Sequence, residues 1–239
     1  MDIRTTQVTP DIWMLEFAVG QAYALRLRGG SGWAMVDAGL PGHAERILDT
    51  LAGLGAAPGE LREIVITHAH MDHVGSAAEL AAATGARILA GAGDAAVIRG
   101  EAPEPPPVLQ EWEVPIFESV GESLGDIPRT LQAPCRVDRE LGEGDTLDWG
   151  EEARVIHLPG HTAGSVGVHL PSSGVLFTGD TIANAGQLTP GVFNTDRQGV
   201  LTSFRRQASL SDVDIACFGH GTPIVGGAGE ALRGAAGEA

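Results

Sequence analysis

The sequence contains no lysine, one tyrosine, two cysteines and no long apolar run. Its fifteen basic residues are all arginines and stand against thirty-one acidic residues, so the formal net charge is −16. A surface of this sign repels nucleic-acid phosphates and anionic lipid headgroups, and we therefore expect neither nucleic acid nor a membrane as a partner. No apolar run approaches the length that crosses a bilayer.

The first residues, MDIRTTQVTPDIW, lack the basic stretch followed by an apolar one that defines a signal peptide. Cys135 and Cys217 lie far apart and form no CxxC pair. One disulfide between them is formally possible, but two reduced thiols are favoured, which predicts a cytoplasmic protein.

The 239 residues are 43 % hydrophobic and 19 % charged, a globular composition that can bury a core without disulfides or structural metal. Apolar or alternating runs predict strands, and apolar residues at helical spacing predict helices. The predicted strands cover residues 11–17, 21–27, 33–39, 62–67, 86–91, 136–141, 146–150, 153–160, 164–170, 174–180 and 212–219, and the predicted helices cover 42–55, 74–85 and 197–210.

This layout predicts an α+β fold in which two sheets pack face to face with helices outside. We expect residues 1–239 to form a single domain. Residues 101–134 interrupt the pattern, because EAPEPPP excludes regular structure and the remainder mixes aromatic residues, glycine and acids. We interpret them as a lid-like insertion over one face, with a disordered surface loop as the alternative.

Three of the eight histidines crowd into the stretch VITHAHMDHVG, residues 65–75. His68 and His70 follow an apolar strand, and side chains two apart in an extended backbone point to the same side, so both can bind one ion. Asp72 and His73 follow where the chain turns into a helix and could serve a second ion. The helical i, i+4 histidine pair of zincins is absent.

Further candidate ligands follow other apolar strands. His161, Asp180 and His220 each come just after a predicted strand, and a glycine directly precedes each of them. Open sheets commonly gather functional groups beyond the carboxyl ends of their strands. The glycines would allow tight turns and close approach of the backbone.

Four motifs, HAHMDH, LPGHTAGS, FTGDT and FGHG, occur in this order and together resemble the metallo-β-lactamase-fold hydrolases, in particular their glyoxalase II and lactonase-like branch. The resemblance covers nearly the whole chain and implies a four-layer αβ/βα sandwich with its site along one edge. It also implies a ligand set in which His68, His70 and His161 bind one metal ion, Asp72, His73 and His220 bind another, and Asp180 bridges both.

The resemblance implies a dinuclear hydrolase of a small acyl compound, namely a lactone, an ester or a thioester. Zn²⁺ is the expected ion, and Mn and Fe accept the same mixed nitrogen and oxygen ligands. Two ions ~3.5–4 Å apart can share a hydroxide that attacks the carbonyl carbon. Asp72, Asp180 and His220 are the candidate catalytic residues.

Several branches of the family fit less well. Zinc β-lactamases carry Cys or Ser where Asp180 stands, and many use a lysine, so β-lactamase activity is not expected. Glyoxalase II has a helical C-terminal domain that binds glutathione, whereas nineteen residues follow His220 here, which argues against that substrate. The best-studied lactonases have a tyrosine shortly after the bridging aspartate, where this chain has Ala183 and Asn184.

Two other classes remain open. Persulfide dioxygenases look similar but bind one iron through two histidines and an aspartate, and a metal-bound ligand sensor would keep the site with little turnover. Phe117, Asn184 and Phe193 are candidate substrate contacts, with ordinary loop packing as the alternative for each. Asp37 either orients metal ligands from behind or ends a strand. A monomer and a homodimer are both compatible with the sequence.

Overall fold

The computed structural model describes residues 3–30, 32–124 and 134–238. Its strands are β1 Arg4–Thr9, β2 Ile12–Glu16, β3 Gln21–Arg26, β4 Trp33–Val36, β5 Leu61–Ile66, β6 Arg87–Gly91, β7 Arg139–Leu141, β8 Thr146–Asp148, β9 Glu152–His157, β10 Val166–Leu170, β11 Val175–Phe177, β12 Ile182–Asn184, β13 Leu188–Pro190, β14 Ile215–Cys217 and β15 Ile224–Val225. Its α-helices are α1 Ala44–Gly53, α2 Met71–Val74, α3 Ala77–Thr84, α4 Ala95–Ile98, α5 Val114–Leu124, α6 Arg197–Ala208 and α7 Ala228–Glu238.

The strands form two large sheets and one small hairpin. The first sheet runs in chain order from β1 to β7, antiparallel as far as β4 and parallel from β4 to β7. The second has the order β15-β14-β11-β10-β9-β8, with one parallel pair, β11 and β14. Strands β12 and β13 pair with each other, and Asn184 of β12 also forms an isolated parallel bridge with Gly221.

Side-chain alternation along the strands builds a four-layer sandwich. On β5, Val65 faces the second sheet and packs in one core with Val168 and Phe177, whereas Ile64 points to the opposite face. That outer face is covered by α1 and α3, whose Ile47, Leu51 and Leu80 share its core. The outer face of the second sheet packs against α6 and α7. The predicted α+β sandwich is confirmed, and its period-2 strands explain why both sheet faces are apolar.

Several elements lie outside the sequence-based expectations. Strand β1 is polar and mostly exposed, so a search for apolar or alternating runs does not predict it. Helix α5 falls inside the insertion at 101–134, where we expected irregular structure; Pro115 lies in its first turn, where a missing N–H costs nothing. The Pro-rich part of the insertion is irregular as expected, and residues 125–133 of it lie outside the described residues.

Both cysteines are buried and free, and Cys217 packs between the two sheets. Among the described residues, no helix has the length and apolarity that spanning a bilayer requires.

Candidate metal centre

The sandwich brings the ends of four strands to one edge. His68 follows β5, His161 follows β9, Asp180 follows β11 and His220 follows β14, each within four residues of the strand end. His70 precedes α2, and Asp72 and His73 lie within that single-turn helix. The seven side chains predicted from the sequence therefore come together in one cluster that draws on both sheets.

The first set contains three imidazoles. His161 Nε2 lies 3.2 Å from His68 Nε2 and 2.9 Å from His70 Nδ1. Nitrogen atoms bound tetrahedrally to one Zn²⁺ at about 2.0–2.1 Å stand roughly 3.3 Å apart, so these separations match the edges of such a shell.

The hydrogen-bond network fixes which nitrogens of this set carry protons. Asn194 Nδ2 donates to the Gly191 carbonyl, which turns Asn194 Oδ1 toward His161 Nδ1 at 3.2 Å. His161 therefore carries its proton on Nδ1. Thr67 Oγ1 donates to Asp37 and lies 3.0 Å from His68 Nδ1, so it accepts a hydrogen bond from that nitrogen. The facing Nε2 atoms of His68 and His161 then both present lone pairs, which repel unless a cation lies between them.

The second set combines imidazole with carboxylate. His220 Nε2 lies 3.1 Å from Asp72 Oδ2, and His73 Nε2 lies 3.5 Å from the same oxygen. On the other side of its ring, His73 Nδ1 donates to Asp37 Oδ2 at 2.9 Å. Asp37 therefore fixes the orientation of the His73 ring, the geometry that the first of its two expected roles requires.

Asp180 lies between the two sets. Its Oδ2 is 3.1 Å from His220 Nε2 and 3.7 Å from His161 Nε2, and its Oδ1 is 3.4 Å from His73 Nε2. His73 Nε2 and Asp180 Oδ1 are both buried and neither has a hydrogen-bond partner among the described residues. Buried polar atoms are rarely left unpaired. A divalent cation would satisfy both atoms, so the donor set fits a metal centre.

The carboxylates set the charge of the second set. Burial opposes protonation of His220, but Asp180 and Asp72 outweigh it and raise its pKa to about 10. Burial likewise opposes a charge on His73, yet Asp180, Asp72 and Asp37 raise its pKa well above the usual value. In turn, although burial favours the neutral acid, His220 and His73 hold the pKa of Asp180 well below its ordinary range. This region favours a cation, whether proton or metal ion.

The first set has the opposite bias. Burial, together with the neighbouring His70, lowers the pKa of His161 to about 4. Burial and the nearby His73 lower the pKa of His68 well below its usual value. Both imidazoles are therefore neutral at pH 7, the form in which a histidine binds metal.

A second group of buried polar residues holds the ligand loops together. Asp94, which follows β6, accepts hydrogen bonds from the Ala69 and Gly164 amides at 2.9 and 2.8 Å and from Thr162 Oγ1. It thus ties the loop of His68 and His70 to the turn of His161. Gln21 Nε2 donates to the carbonyls of Phe218 and Gly221 at 2.8 and 2.6 Å, on either side of His220.

The three candidate substrate contacts lie in different surroundings. Phe117 on α5 and Phe193 form a T-shaped pair with centroids 5.1 Å apart, and Phe193 directly precedes Asn194, the partner of His161. Asn184 Nδ2 instead donates to the Thr222 carbonyl at 2.6 Å, so its side chain supports the loop that follows His220. A cavity of about 320 Å³ opens beside His220 and is lined in part by Phe17 and Gln21.

The family model of the metallo-beta-lactamase superfamily matches residues 17–220. The chain belongs to this superfamily. The match contains every residue of the two ligand sets and Asp180.

Curated relatives of this superfamily member carry the name hydroxyacylglutathione hydrolase. The protein from Rhodospirillum rubrum is 32 % identical over 199 residues, 83 % of this chain and 60 % of the relative. The one from Cereibacter sphaeroides is 32 % identical over 161 residues, 67 % of this chain and 48 % of the relative. The chain thus spans about half to three-fifths of their length. Hydroxyacylglutathione hydrolase GloC from Haemophilus influenzae is 30 % identical over 79 % of this chain and 80 % of its own.

Solved structures agree with the fold. A metallo-beta-lactamase family protein from Thermus thermophilus superposes with a TM-score of 0.70 at 23 % identity, covering 97 % of this chain and 79 % of the other. The metallo-beta-lactamase MIM-1 from Novosphingobium pentaromativorans gives a TM-score of 0.70 at 20 % identity, covering 99 % and 88 %. At these identities the likeness shows that the sandwich is shared.

Sequence reasoning missed the residues that support the candidate ligands, namely Gln21, Thr67, Asp94 and Asn194. Asp94 left a recognisable signal, because it follows a buried strand in the same way as the ligands do. Asn194 left none, since its role depends on how the loop from Gly191 folds back onto His161.

The backbone at Gly219 closely approaches two side chains of the cluster. A Cβ atom there would lie 1.9 Å from Asp180 Oδ1 and 2.8 Å from His73 Cε1. We therefore expect Gly219→Ala to displace both side chains and to weaken metal binding by more than about tenfold. Metal content after dialysis measures this effect. Gly234→Ala, where nothing lies within 4 Å of the added atom, should load normally, and full loading of Gly219→Ala would contradict the geometry.

Metal binding should release protons from one set only. The raised pKa values of His73 and His220 keep both protonated at pH 7.5, so an ion entering their set must displace about two protons. The neutral His68 and His161 require almost no proton release. As pH rises through about 10, His220 loses its proton and the release should decline.

Isothermal titration with Zn²⁺ in two buffers of different ionisation enthalpy measures this number. The variant His220→Gln should lower the number of protons released on Zn²⁺ binding by about one. A binding enthalpy that is the same in both buffers would show that the two histidines are neutral before metal binds.

Proposed function

We propose that the protein is a dinuclear metal-dependent hydrolase that cleaves a small acyl compound, either a lactone, an ester or a thioester. The observation that carries the proposal is the position of Asp180 between the two histidine sets. Its Oδ1 faces His73 of the second set, and its Oδ2 lies between His220 of the second set and His161 of the first. Such an arrangement suits two ions held side by side, which is the geometry used to activate water against a carbonyl.

In this proposal His68, His70 and His161 hold one ion, Asp72, His73 and His220 hold the other, and Asp180 bridges them. Zn²⁺ is the ion proposed, with Mn and Fe as alternatives that the same ligands accept. When bound, the ions would lower the pKa of a water molecule and polarise the carbonyl oxygen of the substrate.

The protein's own residues would provide orientation and shelter. The side chains of His68 and His161 are 1 % and 3 % exposed, so one side of the cluster is closed to bulk water. The His220 side chain is 35 % exposed and borders the cavity of about 320 Å³. Substrate would therefore enter, and the acid product leave, on the His220 side. Asp72 and Asp180 keep His220 aimed inward through their contacts with its Nε2.

The names of the curated relatives favour a thioester within this group of substrates. The surroundings of the cavity favour a small or apolar acyl group, because Arg4 at its rim is already paired with Glu16 and Phe17 contributes an aromatic wall. We further propose a cytoplasmic location, supported by the two buried, free thiols.

Asp180→Ala tests the proposal directly. Removal of the shared carboxylate should lower turnover by more than about a hundredfold, because even loss of a residue that only supports a metal ligand costs about 10–100-fold. Hydrolysis is followed as acid release in weakly buffered indicator dye, with a panel of lactones, esters, thioesters and β-lactams. Asp212→Ala, at an exposed position, is the matched control.

The same panel separates the alternatives. Chelator-sensitive acid release that Asp180→Ala abolishes supports the hydrolase and identifies the bond. Silence across the panel from metal-loaded protein would overturn it. One iron per chain with oxygen uptake would then indicate a persulfide-dioxygenase-like reaction, and tight metabolite binding without turnover would indicate a sensor.

Phe117 and Phe193 are proposed as further contacts of the acyl group. They do not line the cavity beside His220, and Phe193 directly precedes Asn194, the partner of His161. Phe117 is 36 % exposed and still packs against Phe193, so it can cover an apolar chain without leaving its place. Phe117→Ala should raise KM for long-chain acyl substrates roughly tenfold and leave kcat and short-chain substrates nearly unchanged.

The control is Val225→Ala, which trims an exposed apolar side chain on β15. Equal effects of Phe117→Ala on short and long chains would show that Phe117 supports the loop and does not contact substrate.

A further inference from the structure

Three histidines of the cluster also have a polar partner at the ring nitrogen that points away from the cluster. The outer nitrogens of His68, His73 and His161 face Thr67, Asp37 and Asn194, all within 3.2 Å. The His70 side chain is more exposed than these three, at 22 %. Its outer nitrogen, Nε2, instead lies 3.4 Å from Glu104 Oε1, on the Pro-rich segment.

We propose that Glu104 is a positioning residue that orients His70 for metal binding. The inference rests on the proposed metal centre and extends it to a segment that none of the four sequence motifs contains. It gives residues 101–107, which we interpreted only as part of a lid, a defined role in the site.

The chemistry of the imidazole explains why a carboxylate belongs at this place. His70 Nδ1 faces His161 Nε2 at 2.9 Å, so Nδ1 must be free of a proton if it is to bind the shared ion. The proton then has to sit on Nε2. A carboxylate beside Nε2 favours that tautomer, fixes the ring orientation and makes Nδ1 a stronger donor to the metal.

The segment is anchored at both ends, so Glu104 is held near His70. Before it, the Ala102 amide donates to the Ala96 carbonyl in α4 at 3.2 Å. After it, the Val108 amide donates to the Asn194 carbonyl at 2.9 Å, and Asn194 is the residue that orients His161. The same short segment therefore carries Glu104, which contacts His70, and binds Asn194, which contacts His161.

Proline stiffens the span between these anchors. Glu104 lies between Pro103 and Pro105, and a residue before proline is restricted to extended conformations. Runs of proline behave as semi-rigid extended spacers. Less conformational entropy is therefore lost when the carboxylate is held against His70.

A buried carboxylate fixes the part of the segment that follows. Glu113 is 1 % exposed and accepts hydrogen bonds from the Gln110 amide at 2.7 Å and the Phe193 amide at 3.1 Å. Phe193 has a φ of 59°, a conformation that is uncommon for a bulky side chain and turns its amide toward Glu113. The segment from Glu104 to Glu113 is thus fastened to the loop that carries Asn194.

The test is metal affinity, measured on the whole protein by competition with a chromophoric chelator for Zn²⁺. Glu104→Ala removes both the charge and the acceptor, and it should lower the affinity for one of the two ions by about tenfold or more. Glu104→Gln keeps an acceptor oxygen, so its affinity for the same ion should fall only a few-fold. The other ion should bind within about twofold of the wild-type affinity. Glu101→Gln, on the same segment but paired with Arg99, is the matched control and should bind both ions normally.

A second readout separates orientation of His70 from general stability. In the metal-free protein, ¹⁵N-histidine spectra should show His70 protonated on Nε2 in the wild type and in Glu104→Gln, and a mixture of tautomers in Glu104→Ala. The thermal unfolding midpoint should be unchanged in all three. Pro105→Ala retains the carboxylate but removes the restriction that proline places on the backbone of Glu104. The Zn²⁺ affinity of this variant should lie between those of Glu104→Ala and the wild type.

Wild-type affinity for both ions in Glu104→Ala, or an unchanged His70 tautomer, would overturn the role of Glu104 and leave the proposed hydrolase intact. A wild-type protein that binds no metal at all would overturn the metal centre itself, and with it the proposed function.

Discussion

The close approach of unprotonated nitrogens and carboxylates at one sheet edge is the constraint on which the rest of the site depends. Lone pairs on His68 and His161 face each other, and Asp180 lies between them and a second histidine. Burying such groups without a counter-charge is costly, and the cost is offset only when a cation completes the set and further hydrogen bonds hold each ligand. The surrounding polar residues supply those hydrogen bonds.

These supports explain how loops can carry a rigid site. Asp37 takes part in two contacts at once, through Thr67 to His68 and directly to His73, and it adopts a φ of 64° that is uncommon for a residue other than glycine. Unfavourable backbone conformations persist at functional sites because the surrounding contacts outweigh them. Asp94 performs the same service between the loops of the two sheets. The buried carboxylates of Asp37 and Asp94 therefore hold the candidate ligands in place from the side that faces away from the cluster.

Most of the candidate ligands follow a buried strand, a local pattern that the sequence shows directly. The structure brings these side chains together, and their binding of metal stays a prediction. His161, Asp180 and His220 could be recognised by that position together with a preceding glycine. Helix α5 and Asn194 could not, since the helix follows a Pro-rich run and leaves apolar residues such as Ile116 exposed, and Asn194 acts through a loop that folds back across the chain. Glu104 was hidden for a related reason: its partner lies thirty-four residues earlier, and only the packed structure brings them together.

The distribution of the ligands over the two sheets has a mechanical consequence. His68 and His70 extend from the first sheet and His161 from the second, and the other set divides in the same way between Asp72 and His220. Each bound ion would connect the two sheets across the open edge of the sandwich, in addition to the apolar core between them and polar contacts such as Arg28 with Glu151. A ligand that binds only the folded state stabilises it by about 4 kcal/mol at a thousand times its dissociation constant. The candidate metal centre would thus also stabilise the association of the two sheets.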